Sequence, residues 1–292
     1  MSTPPDSDLP LAWVTGAAGL IGRELVCAAE AGAAPGWRVR PLTRATVDFA
    51  NTHEVNQLFE RERPDLIIHC AALSRTGACQ SDPELAIRQN VEVTQRLVDR
   101  LGSGYFVFFS SDLVFDGTQG GYVETDQPNP VNVYGQTKWE SEKALQSLPQ
   151  ALVIRTSLNY GHSLTGDRAF NEEMVNAWKA GRPVQAFVDE YRCPIAASET
   201  AFWTWELIRA RRCGVVHLAG SERLSRWQIA TEIAGHYPAL HPTIIPVSLA
   251  GHVGTPRAPN VSLNCDRLSA WMGRPLPSFR PWLAEKEPIH LS

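Results

Sequence analysis

The sequence has no CxxC pair and no cluster of Cys and His at metal-ligand spacing, which excludes the common structural zinc modules and thioredoxin-type redox chemistry. Its six cysteines (Cys27, Cys70, Cys79, Cys193, Cys213 and Cys265) are scattered. They read as reduced, mostly buried small side chains, the usage expected of a cytosolic protein. No stretch approaches the roughly 18 uninterrupted apolar residues of a membrane span, so no membrane partner is expected. The first ten residues, MSTPPDSDLP, lack the basic start and apolar centre of a secretory leader; a loose tail on a soluble, cytoplasmic protein is the expectation. An excess of positive charge is also missing. With 27 Lys and Arg against 31 Asp and Glu the formal charge is -4, which gives no broad attraction for a phosphate backbone and argues against nucleic acid as a main partner. Internal repeats and low-complexity tracts are absent.

What is present is an ordinary globular composition, 43% hydrophobic and 20% charged, in 292 residues, enough for one large α/β domain with a smaller lobe. The apolar run LAWVTG (11–16) predicts a buried strand that passes through a glycine turn into the helical pattern LIGRELVCAAEAG, which Gly32 and Pro35 stop. A strand RVRPLTR, a helix NTHEVNQLFERERP and a strongly apolar strand DLIIHCAA (65–72) follow. Next come a helix over 83–101, the strand YFVFFSS, a glycine- and proline-rich loop, a helix opening on VYGQTKWESE (133–142), and the strand ALVIRTS. Alternation at βαβ spacing, with strands apolar throughout, predicts a doubly wound parallel sheet covered on both faces. Beyond Tyr160 the pattern loosens, with candidate strands PVQAFV and GVVHLAG and helices near 200–211 and 225–236. The expected division is a dinucleotide-binding domain over 1–160 and 196–222, and a substrate lobe over 161–195 and 223–292 that closes on the sheet's ligand edge.

The run TGAAGLIG (15–22) sits between first strand and first helix, where a pyrophosphate meets backbone amides at a helix N-terminus. Gly16 suits the tight turn, Gly19 the approach of phosphate oxygens, and Gly22 close packing of helix on sheet. At the end of the second strand the chain reads PLTRAT, without the acid that binds an adenosine ribose when NAD is used. Arg44 stands there instead, suited to a 2'-phosphate. NADP(H) is the expected cofactor, with NAD(H) the alternative.

In VYGQTKWESE, Tyr134 and Lys138 lie at i and i+4 on one helical face. A phenol ordinarily keeps its proton to pH ~10, and a neighbouring ammonium favours the phenolate. The pair is therefore expected to form a tuned general acid.

Taken with the glycine turn and YGQTK, the segments SSDLVFDG (110–117), DPELAIRQNVEVT, RTSLNYG and GVVHLAGSERLSRWQIA resemble the extended short-chain dehydrogenase/reductases, most of all the dTDP-4-dehydrorhamnose reductases. The resemblance spans nearly the whole chain. It implies that Tyr134 gives its proton to a ketone oxygen as hydride arrives, that Lys138 lowers the phenol's pKa and binds the nicotinamide ribose, and that Ser111 hydrogen-bonds the same oxygen. Ser110 is the neighbour on the opposite strand face. It further implies cofactor contacts from Gly16, Ala18, Gly19, Leu20, Ile21 and Arg44, from Asp48 and Phe49 beside the adenine, from Cys70, Ala71 and Ala72 under the adenosine half, and from Asn90.

Relative to that family the chain departs at two positions, with Leu113 where a tyrosine is usual and Leu158 where a tryptophan is usual. Both line the sugar pocket, along with Asn171, so a small-molecule carbonyl substrate is expected without its sugar being fixed. Arg192, in DEYRCP, is aimed at a substrate phosphate, the alternative being an exposed salt bridge. Dehydration is disfavoured, because Asp112 is followed by Leu113 and not by an acid. An epimerase, and a non-catalytic NADP-binding subunit like the beta subunit of methionine adenosyltransferase, remain as alternatives. The histidines His69, His162 and His217 have no ligand spacing, and the tryptophans of FWTWEL suit core packing or a homodimer contact.

Overall fold

Five consecutive buried residues, Leu11–Thr15, form the first strand, β1. The computed structural model describes residues 9–280 and 283; the first eight of the ten residues expected as a tail, and the end of the lobe at 292, lie outside the described residues. After β1 come α1 (Leu20–Ala28), extended by a π-helical turn until Gly32 (φ 94°) breaks it, then β2 (Arg38–Leu42), α2 (Thr52–Glu62) and β3 (Leu66–His69). Two short helices, α3 (Thr76–Ser81) and α4 (Pro83–Ala86), lead through a π-helical stretch, Ile87–Glu92, into α5 (Val93–Leu101). β4 (Tyr105–Ser111), α6 (Val133–Leu145) and β5 (Ala151–Thr156) complete the first half.

The second half runs β6 (Asn159–Tyr160), α7 (Phe170–Lys179), β7 (Val184–Phe187), β8 (Tyr191–Arg192), β9 (Ile195–Ala196) and α8 (Ala197–Arg209). It ends with β10 (Gly214–Leu218), β11 (Leu224–Ser225), α9 (Arg226–His236), β12 (Ile244–Val247) and α10 (Asp266–Met272).

Six parallel strands in the order β2-β1-β3-β4-β5-β10 make the central sheet, the doubly wound architecture that the strand pattern predicts. Every residue of β3, β4 and β5 is buried, because helices cover both faces and leave no polar side to the alternation. Successive residues serve opposite cores. Val14, Ile68 and Val107 pack with Leu25 of α1 and Trp203 and Trp205 of α8. Trp13, Ile67 and Phe106 pack with Phe59 of α2 and Leu97 of α5. The strand order reverses between β1 and β3, so the crevice at their carboxyl ends is where such a sheet takes a ligand.

A separate cluster joins α7, α9 and β7 through Met174, Trp178, Ile229 and Ala186. The sequence reading missed α7, although Met174 and Trp178 stand at i and i+4 on its buried face. Leu268 of α10, a segment expected in the lobe, packs instead in the first sheet cluster. The predicted helix over 83–101 is interrupted by the π stretch, and β3 stops at His69, three residues short of expectation.

All six cysteines are free, but Cys27 and Cys213 are exposed and only Cys79 and Cys193 fully buried, so "mostly buried" overstates their burial. His69 and His217 are core residues held neutral, each drawn down to about 3, chiefly by burial. Among the described residues no group of His, Cys, Asp and Glu could hold a metal ion, and no helix is long and apolar enough to cross a membrane.

Candidate active site

The glycine turn lies at the β1/β3 reversal. Gly16 adopts φ 67°, and a Cβ there would come within 2.7 Å of the Ala71 amide nitrogen. The turn therefore packs backbone to backbone against Cys70 and Ala71, the residues that leave β3 early to do so. Thr15 Oγ1 links them, 2.7 Å from His69 Nδ1 and 3.2 Å from the Ala71 N–H that it accepts. A Cβ on Gly22 would meet the Gly16 carbonyl at 2.4 Å, so α1 can begin against the turn only with glycine at that position. Gly19 precedes α1 at the capping position, with no side-chain cap. Its first-turn amides, with Ala18 exposed and Leu20 and Ile21 half-buried beside them, suit the phosphates of a dinucleotide.

Arg44 is exposed just beyond β2, in a turn closed by Thr46 Oγ1 on the Thr43 backbone. Asp48 is exposed and accepts the Ala50 N–H, whereas the Phe49 side chain is buried with Trp13 and Val55. Cys70, Ala71 and Ala72 are half-buried. Asn90 lies in the π stretch, 2% exposed; it accepts the Leu73 N–H at 2.7 Å and donates to Leu73 O and to Thr137 Oγ1. It therefore ties the loop after β3 to α6.

Ser111 ends β4, and Asn132 caps α6 by accepting the Gly135 N–H at 2.9 Å. That cap starts the helix so that Tyr134 faces the strand end. Gly135 makes the approach feasible, since a Cβ there would lie 2.1 Å from Leu113 O. Ser110 turns to the other face and donates to the buried Glu142, so the alternation argument assigns the two serines as expected.

Lys138 is 3% exposed, its Nζ donating to Phe109 O at 2.9 Å and lying 5.8 Å from the Tyr134 ring centroid. Burial draws it down to about 8, against the negative influence of Cys70, Cys79 and Glu142. The phenol itself departs from expectation. Burial first, then Asp112 and Cys79, raise Tyr134 above the usual tyrosine range, with the hydrogen bond between Tyr134 and Ser111 pulling the other way. Spacing alone suggested an acidified phenol; burial sets the direction instead.

The candidate substrate residues divide. Leu113 is buried and Leu158 half-buried against the lobe cluster. Asn171 clamps Gly161, donating to its carbonyl at 3.0 Å and accepting its N–H at 3.1 Å, so its amide is occupied by backbone. Arg192 is neither aimed at a phosphate nor part of an exposed bridge: it is 6% exposed, 3.0 Å from Asp112 Oδ1 and 3.1 Å from Glu190 Oε1. Sequence reasoning also missed the Glu142–Arg155 pair, buried behind Lys138 with Nη2 to Oε2 at 2.7 Å. Its only sequence signal is a charged residue inside an apolar strand.

The profile described as the RmlD substrate binding domain matches residues 12–286. Methionine adenosyltransferase 2 subunit beta of Bos taurus is 29% identical over 273 residues, covering 87% of this chain and 80% of that protein. The probable low-salt glycan biosynthesis reductase Agl14 of Haloferax volcanii is 33% identical over 187 residues, 61% of this chain and 62% of its own length. The crystal structure of dTDP-4-dehydrorhamnose reductase from Bacillus anthracis in complex with NADP superposes with a TM-score of 0.85 at 23% identity, over 94% of this chain and 98% of that one, a likeness of fold.

Proposed function

That the chain belongs to the RmlD substrate binding domain family is the premise from which we propose its function: a nicotinamide-dinucleotide-dependent reductase that transfers hydride to the ketone of a sugar nucleotide, with Tyr134 as proton donor. The observation that supports it most is the convergence of Ser111, Tyr134 and Lys138 at the carboxyl end of β4, two strands from β1 and its glycine turn. The reduced nicotinamide, when bound, supplies the hydride. As negative charge develops on the substrate oxygen, the Ser111 and Tyr134 hydroxyls are donors fixed in advance at that position. The phenol is loaded for this task, since its raised pKa keeps the proton in place across neutral pH. Lys138 sets a positive charge beneath the ring and offsets the charge left on the phenolate. Leu113 and Leu158 wall the sugar side with apolar surface, so the sugar accepted differs from one that needs a hydroxyl donor and a stacking ring.

Arg44 at the end of β2, with no acid beside it in PLTRAT, supports NADP(H). Steady-state oxidation of NADPH over a panel of keto-sugar nucleotides and simple ketones is the test. Turnover is expected on a keto-sugar nucleotide, with kcat/KM for NADPH about tenfold or more above NADH from the added Arg-phosphate contact; equal efficiency with NADH would remove the NADP preference. A second reading, a non-catalytic dinucleotide-binding subunit, is favoured by the likeness to methionine adenosyltransferase 2 subunit beta. Tight NADPH binding without turnover on any ketone, together with a co-purifying partner enzyme, would establish that reading instead.

A further inference from the structure

The carboxylate beside the proposed proton donor is held from the second half of the chain. Asp112, 3% exposed, accepts from the Ser111 hydroxyl at 3.1 Å and the Ser157 hydroxyl at 2.6 Å, and its Oδ1 meets Arg192 Nη1 at 3.0 Å. Arg192 comes from β8, which pairs with β11 outside the central sheet. Its Nη2 is fixed by Glu190 at 3.1 Å, and Glu190 is fixed in turn by Arg257 at 2.7 Å. Burial opposes the Arg192 charge, but Asp112 and Glu190 outweigh it and leave the guanidinium firmly protonated. The charged and titratable groups around the phenol are then Asp112 in the turn after β4, Cys79 on α3 and Lys138 on its own helix, with the Ser111 hydroxyl on β4.

We infer that Arg192 is a positioning residue for the proposed proton donor: it fixes the Asp112 carboxylate beside Ser111 and offsets part of the negative charge that Tyr134 would otherwise face. In so buried a place a single uncompensated carboxylate acts strongly on a neighbouring phenol. It would hold the phenolic proton too tightly and compete with the substrate oxygen for the Ser111 hydrogen. With Arg192 in place the carboxylate's charge is shared with a guanidinium and the Ser157 hydroxyl, which weakens its hold on the Ser111 hydrogen and on the phenolic proton. Because the arginine lies outside the sheet that carries Ser111, the acidity of Tyr134 depends on β8 remaining docked against the end of β4.

The inference rests on the reading of Tyr134 as proton donor, yet its electrostatics can be measured without a substrate. A polyfluorinated tyrosine, more acidic than tyrosine, is placed at position 134 alone in the full chain, and its ionisation is followed by fluorine NMR against pH. Asp112→Asn is expected to lower the midpoint by about one pH unit and Arg192→Met to raise it by a similar amount, while Arg192→Lys stays near the parent. Should Arg192→Met fail to fold, the isosteric Asp112→Asn and the charge-conserving Arg192→Lys still decide. A midpoint unmoved by Asp112→Asn, or moved the same way by Asp112→Asn and Arg192→Met, overturns the inference. Turnover on the ketone panel separates the two ideas. Opposite shifts without any ketone reduction would leave the inference standing and remove the reductase reading; reduction abolished by Tyr134→Phe with unmoved midpoints would do the reverse.

Discussion

Tyr134→Phe is expected to lower kcat for ketone reduction by about 10²–10⁴-fold, the range for loss of a positioned general acid, with NADPH affinity little changed. Phenylalanine keeps the ring and the packing against Lys138, so the loss isolates the proton. The pH dependence follows from the signs of two shifts. The phenol is raised by burial and by Asp112, so it stays protonated through neutral pH and imposes no fall in rate there. Lys138, drawn down to about 8 by burial, is charged below that pH and loses its charge above it. Reduction that needs the ammonium is therefore full below pH 8 and declines as pH rises through it. Steady-state kinetics from pH 6 to 10 on both proteins check the prediction; a Tyr134→Phe enzyme within tenfold of the parent would remove the phenol from the chemistry.

What the sequence made legible was whatever depends on near neighbours. Runs such as YFVFFSS announce a strand buried on both faces because no polar residue interrupts them, and β4 is buried at every position. TGAAGLIG announces its turn through glycine chemistry, and the contact of Gly16 with Ala71 shows why. The placement of Ser111 and Ser110 on opposite faces needed only strand geometry. The rest depends on elements far apart in the chain. Helical spacing set Lys138 beside Tyr134, but it could not show that Nζ is held by Phe109 O or that burial, with the charges of Asp112 and Cys79, governs the phenol. Arg192 read as a ligand for a substrate phosphate, or as an exposed salt bridge, because its partner Asp112 belongs to the other half of the fold. Asn171 read as a pocket residue because its bond to Gly161 is a matter of loop closure. The π stretch that carries Asn90 has no compositional mark at all; its extra residue shifts the helix face so that Asn90 meets both Leu73 and Thr137.

Glu142→Ala is expected to destabilise the fold by about 3–5 kcal/mol, a Tm lower by roughly 10 °C. Glu142 is 3% exposed and Arg155 2%, joined by three hydrogen bonds at 2.7 Å, 3.0 Å and 3.2 Å, with Ser110 donating to the same carboxylate. Removing the carboxylate leaves a buried guanidinium with the Glu124 carbonyl at 3.4 Å, His217 Nε2 at 3.5 Å and the Phe115 ring centroid at 5.1 Å, none able to neutralise it. The attraction of the pair is not itself the stabilising term, since both charges had to leave water. Replacing both partners with apolar residues of similar size, as in Glu142→Leu with Arg155→Met, is therefore expected to recover most of the loss in thermal unfolding. A Glu142→Ala penalty under about 1 kcal/mol would contradict the burial on which this rests. The double variant then separates architecture from chemistry. Glu142 stands one turn after Lys138 and raises its pKa against the pull of burial, so a fold repaired without the carboxylate should remain stable while its reductase activity begins to decline at a lower pH than in the parent.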